Sequence, residues 1–163
     1  MNFPSDRELV LTRVIDAPRE AVYRCWTEPE LLKKWFAPKP FTTEAATLDV
    51  RAGGANVVVM QSPDGLKFPT AGVYLEVVPN ERLVFTDAFT SGWEPKDGVP
   101  FMVAAVTLTD EGGKTRYEAR VRHWSPEARV QHEQMGFYSG WSKCAEQLEE
   151  TAKALAAAPS RHP

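Results

Sequence analysis

The sequence is short of most features that announce a dedicated chemistry. It has two cysteines, Cys25 and Cys144, far apart and in neither a CxxC pair nor a loop framework. That argues against a disulfide scaffold and predicts two buried or half-buried thiols on helices, in a reducing cytoplasm. No HExxH and no Cys/His cluster offers a zinc set, so neither a metal nor a cofactor is expected. No apolar run approaches the roughly 18 residues of a membrane span. Residues 1–7, with Pro4 and two charges, have no apolar core of the kind a secretory signal needs. Positive charge is not in excess: the net charge is −3, without the clustered basic patch of a nucleic-acid binder. A strained serine elbow, a phosphate-cradling glycine loop and a dinucleotide fingerprint are also missing; Gly53-Gly54 and Gly112-Gly113 read as turns.

The composition itself is ordinary. Hydrophobic residues make up 43% and charged residues 25%, so a core can be buried. With 163 residues the expectation is one domain over residues 1–157, followed by a frayed tail at 158–163.

Residues 7–15 read as a strand, with Leu9, Leu11 and Arg13 alternating against Val10, Thr12 and Val14. Asp16 as N-cap and Pro18 in the first turn then predict a helix carrying Val22, Cys25 and Trp26. Thr27-Glu28-Pro29-Glu30 repeats the start signal, with Thr27 and Glu30 as a capping box. The second short helix carries Leu31, Leu32, Trp35 and Phe36 and ends at Pro38 and Pro40. Val-, Thr-, Phe- and Tyr-rich segments follow, punctuated by turn signals such as Ser62-Pro63-Asp64-Gly65 and Asp110-Glu111-Gly112-Gly113. Strands are predicted near 42–48, 55–61, 68–78, 82–88, 101–109 and 115–123, in an antiparallel meander. Residues 91–100, rich in Gly and Pro, read as a surface loop over a cavity mouth. Ser125-Pro126-Glu127 opens a last helix running to about residue 157, with Val130, Phe137, Trp141, Ala145 and Leu148 as its apolar stripe. Gln134 and Tyr138 lie on or beside that stripe.

Three motifs in order carry a resemblance. Val14-Ile15-Asp16-Ala17-Pro18 with Val22, then Trp26-Thr27-Glu28-Pro29-Glu30-Leu31-Leu32 and Trp35-Phe36, resembles the opening of the heat-shock-protein-90 ATPase activator homologue family. Glu81-Arg82-Leu83-Val84-Phe85-Thr86 resembles its mid-sheet motif, and the stretch from His132 to Trp141 the closing motif of its bacterial members. That family lies in the START-like (SRPBCC, Bet v 1-like) superfamily. The resemblance implies an α+β helix-grip fold: a curved antiparallel sheet, two short helices after the first strand, and a long C-terminal helix over the concave face. The superfamily includes lipid carriers, hormone receptors, aromatase/cyclases and drug-sequestering proteins, and fold alone does not choose among them. The family name would add a chaperone ATPase as partner, but in the eukaryotic co-chaperone the module sits beside a second domain.

A helix-grip cavity is expected to be lined from the last helix (Gln134, Phe137, Tyr138, Trp141), the last strand (Tyr117, Ala119, Val121, His123) and the middle of the sheet (Phe85, Asp87). Tyr117, Ala119 and Val121 share one face of an alternating strand, and His123 continues it, so its imidazole is expected on the concave side. There it either meets a ligand or is satisfied by backbone at the strand end. Asp87 follows Leu83 and Phe85 on their face, where the resemblance implies tryptophan more often; its carboxylate faces either the pocket or water. His132 is nine residues before Trp141, about 180° away at 100° per residue, so it is expected on the outer face in a surface or capping role. Gly136 and Gly140, each costing about 1 kcal/mol inside a helix, need a close approach or a bend as compensation.

These residues favour binding of a small hydrophobic or aromatic molecule. The alternatives are a cyclase- or hydrolase-like enzyme using His123, Asp87 and Tyr138, or a chaperone-interacting stress protein. Neither nucleic acid nor membrane is an expected partner, and a homodimer is open to the chain.

Overall fold

In the computed structural model, which describes residues 5–158, a 3₁₀ turn at Ser5–Arg7 feeds strand β1 (Glu8–Ile15). Helices α1 (Arg19–Thr27) and α2 (Pro29–Leu32) follow. Both short helices stand where expected, but their starts differ from the capping scheme. Pro18 occupies the N-cap position of α1 and Glu28 that of α2, and neither helix has a side-chain cap. The Thr27 hydroxyl donates to the Tyr23 carbonyl one turn back. Ahead of α1, the Asp16 backbone N–H is taken by the Glu149 carboxylate at 2.7 Å.

Strands β2 (Thr42–Leu48), β3 (Ala55–Gln61), β4 (Lys67–Val78) and β5 (Arg82–Thr86) come next. The loop expected at 91–100 contains part of a small hairpin, β6 (Phe89–Thr90) with β7 (Glu94–Pro95). Strands β8 (Val103–Glu111) and β9 (Lys114–Arg122) complete a seven-stranded sheet of order β1-β9-β8-β5-β4-β3-β2, antiparallel at every pairing. The register shifts between Thr43 and Ala45 on β2 and between Tyr74 and Glu76 on β4, bulges that bend a sheet. At Gly72 a Cβ would stand 2.1 Å from the Thr86 carbonyl oxygen, so only glycine lets β4 and the end of β5 approach.

The single long helix expected at the C-terminus is two helices. Ser125 caps α3 (Pro126–Gln134), its hydroxyl accepting from the Ala128 N–H as the sequence predicts. Gly136, at φ 99°, then breaks the path, and α4 runs over Phe137–Ala157. A left-handed residue is cheap only for glycine, and its reversal detaches the face of α3 from that of α4. Val130 is therefore exposed, although it fits the stripe of an unbroken helix. The expected tail lies, from residue 159, outside the described residues.

Helices α1 and α4 pack on the concave face of the sheet. Ile15, Val22, Cys25, Trp26, Tyr117, Ala119 and Leu148 lie within the main core, and Leu9, Ala104, Val121 and Phe137 form a smaller cluster. Burying a side chain such as Leu148 fully is worth about 1.5–3 kcal/mol. Gln147 locks α4 to the chain after α2: its Nε2 donates to the carbonyls of Trp35 (2.8 Å) and Ala37 (2.7 Å), and its Oε1 accepts from the Lys39 N–H (3.1 Å). No helix among the described residues is long and apolar enough to cross a membrane.

Candidate functional site

Between α1, α2, α4 and the concave sheet face lies a cavity of about 540 Å³. Its shape follows from period-two alternation: Asn56, Val58 and Met60 project from one side of β3, and Tyr117 comes from the inner face of β9. The helical side is aromatic. Trp26 meets Trp35 at 4.9 Å and Phe85 at 5.7 Å between ring centroids, and Phe137 meets Trp141 at 5.3 Å. Gly140 also borders the cavity, and no atom lies within 4 Å of where its Cβ would be. Its missing side chain leaves space rather than admitting a close neighbour.

Most polar side chains around this space are committed to holding its walls. The Thr86 hydroxyl donates to the Met102 carbonyl (2.8 Å), Thr70 to Val58 (3.2 Å), the Cys144 thiol to Phe36 (3.2 Å) and the Lys96 ammonium to Ala71 (2.9 Å). The Asp87 carboxylate accepts from the backbone N–H groups of Phe101 and Met102 at 2.8–3.0 Å. It thus borders the cavity and pins the segment before β8. Burial pushes the Cys25 thiol up to about 11 and Cys144 up to about 12, so neither is a thiolate nucleophile at neutral pH. The Trp26 indole N–H is buried without completing a hydrogen bond of standard geometry. It stands beside the Tyr117 hydroxyl, which burial raises above the ordinary tyrosine range while the indole N–H acts in the opposite sense.

At one end of the cavity two histidines meet. Both ring nitrogens of His123 have protein partners: its Nδ1 lies 2.9 Å from the Arg7 carbonyl oxygen and its Nε2 lies 2.9 Å from His132 Nδ1. Both rings are buried, and His132 packs against Phe101 and Phe137 at 4.6 and 5.2 Å. Burial first, and His123 second, bring His132 down to about 4.

Of the residues expected at the site, Phe85, Asp87, Tyr117, Phe137 and Trp141 border the cavity. Ala119 and Val121 are buried in the core and do not reach it. His123 is turned to Arg7 and His132 and borders only a shallow depression near Trp124. Gln134 and Tyr138 are exposed, because the break at Gly136 rotates α3 away from α4 and leaves Tyr138 on the outer side of the first turn. His132 is the main correction: expected on the outer face, it is 8% exposed and lines the cavity. Counting 100° per residue back from Trp141 crosses Gly136, where the helix is interrupted. Sequence reasoning also did not assign Trp26, Trp35, Phe36, Asn56 and Met60 to the site; the aromatic run Trp26, Trp35, Phe36 was the available signal.

The family model described as activator of Hsp90 ATPase homolog 1-like protein matches residues 16–153. A solved structure from Nitrosomonas europaea is 41% identical, with a TM-score of 0.91, covering 96% of this chain and 100% of its own. One from Chromobacterium violaceum is 29% identical at a TM-score of 0.72, covering 93% and 99%. The AHSA1-like protein from Aeromonas hydrophila, at 20% identity and a TM-score of 0.71 over 96% and 99%, shares the fold. No curated protein matches the chain.

Proposed function

The chain belongs to the activator of Hsp90 ATPase homolog 1-like family, and on that premise we propose that it binds a small hydrophobic or aromatic molecule in the cavity between α4 and the sheet. The observation that carries this reading is the state of the walls: a large, mostly apolar cavity, rich in aromatic rings, in which Thr70, Thr86, Asp87, Lys96 and Cys144 are spent on the protein's own backbone. Such a site gains affinity from apolar burial and uses few polar groups for orientation. Phe85, Asp87, Tyr117, Phe137 and Trp141 are the proposed contact residues among those read from sequence, with Trp26, Trp35, Asn56 and His132 added by their position.

The enzyme alternative needs a charged pair poised in the cavity. Among the described residues Asp87 and Lys96 form no ion pair with each other; each is bonded to backbone instead. Native mass spectrometry of freshly purified protein tests the binding reading. A retained small molecule, released unchanged on denaturation, is expected. Repeated conversion of that molecule by the protein would instead identify an enzyme.

A further inference from the structure

The histidine pair dictates where its own hydrogens sit. The Arg7 carbonyl can only accept, so the His123 Nδ1 facing it carries a hydrogen. In the pair without an extra proton, His123 Nε2 is then bare. The 2.9 Å contact beyond it requires the hydrogen to be on His132 Nδ1. His132 Nε2 is consequently a lone pair. It has no protein partner among the described residues, on a ring that borders the cavity. This order, carbonyl to His123 to His132, leaves the cavity with an acceptor flanked by the rings of Phe101 and Phe137.

We propose that His132 determines specificity in this cavity: its Nε2 accepts the hydroxyl hydrogen of a phenolic ligand, and His123 is the positioning residue that keeps that nitrogen an acceptor. The proposal rests on the binding reading above and names the ligand class. An aromatic ring suits the surrounding phenyl and indole faces. A phenol O–H is a stronger donor than an alcohol O–H, and it brings no charge into an apolar space. A carboxylate would set its own lone pairs against Nε2, and the one ammonium at the wall, Lys96, is directed to the Ala71 carbonyl.

The test uses 2-naphthol and its methyl ether, 2-methoxynaphthalene, with naphthalene as the unsubstituted control. Calorimetric titration of the wild-type protein is expected to favour the naphthol over the ether by about five- to tenfold, the worth of one buried hydrogen bond. His132→Phe should abolish the preference of naphthol over ether, whatever its affinity for the ether itself. Long-range ¹⁵N spectra of the imidazoles should show hydrogen on His132 Nδ1 and none on Nε2, with the Nε2 resonance moving on naphthol addition. His123→Phe should spread the His132 hydrogen over both nitrogens and reduce the preference. Equal binding of naphthol and ether by the wild type overturns the proposal and leaves the cavity reading standing. Hydrogen on His132 Nε2 in the free protein overturns it whatever binds. Failure of all three compounds to bind removes the cavity reading, and this proposal with it. The wild-type comparison and the spectra stand even where a histidine variant does not fold.

Discussion

Two buried polar side chains on the last helices carry opposite obligations. Gln147 satisfies three backbone groups at once, so Gln147→Leu leaves two carbonyls and an N–H without partners. A loss of at least about 2 kcal/mol in urea unfolding is expected, larger than for an exposed glutamine. His132 instead makes the fold sensitive to acid. Its pKa of about 4 lies below the ordinary histidine value of 6.5, so the unfolded chain binds the proton more readily than the folded one. Stability is full above about 6.5 and falls as pH drops toward 4, by roughly 2–3 kcal/mol for a shift of this size. Glu8 and Glu149 act lower. Burial raises both, but Arg122 and Arg120 for Glu8, and the Asp16 N–H and Arg13 for Glu149, outweigh it, and their contribution is lost only as the pH falls below the usual carboxylate range. Denaturation curves at pH 7 and pH 5 should therefore separate the wild type from His132→Phe, whose stability should change less between them. For His123 a backbone partner at the strand end was among the readings of the sequence, and the Arg7 carbonyl is one, whereas its second partner, His132, was not foreseen. His132 was placed by counting back from Trp141, across a left-handed glycine at 136 that periodicity does not see.

At the scale of elements, the two glycines of the closing motif differ in kind. Gly136, at φ 99°, joins α3 to α4, and a side chain there is strained in any surroundings. Gly136→Ala should cost about 1–2 kcal/mol, seen as a lower unfolding midpoint. Gly140 is helical with open space at its Cβ, so Gly140→Ala should stabilise by up to about 1 kcal/mol. A larger residue, as in Gly140→Phe, should occupy the cavity and weaken ligand binding without unfolding the protein. Strands were the readable elements, since turn signals and alternation are local: β2 and β3 match their expected limits, and β4, β8 and β9 match within two residues. The capping scheme of α1 and α2 was misread: Pro18 and Glu28 hold the N-cap positions, and the Thr27 hydroxyl turns back to the Tyr23 carbonyl.

For the whole molecule, the order of strand, two short helices, sheet and a closing helical segment, read as one helix, was visible in the chain, and with it the family. Half of the residues expected at the cavity wall border it. Phe85, Asp87, Tyr117, Phe137 and Trp141 follow from alternation and helical spacing. Trp26, Trp35, Asn56 and Met60 enter because sheet curvature brings β3 and the first helices to the same space, a property of many long-range pairings at once. The five tryptophans give a spatial test of the claim that this space takes an apolar guest. Trp26, Trp35 and Trp141 border the cavity, while Trp93 and Trp124 are about half exposed elsewhere. The direct measurement is the ¹H–¹⁵N spectrum of the five indole N–H groups during titration with naphthalene. Saturable shifts are expected for Trp26, Trp35 and Trp141 at one molecule per chain, with Trp93 and Trp124 unmoved. Five unchanged indoles, or shifts confined to Trp93 and Trp124, would contradict it.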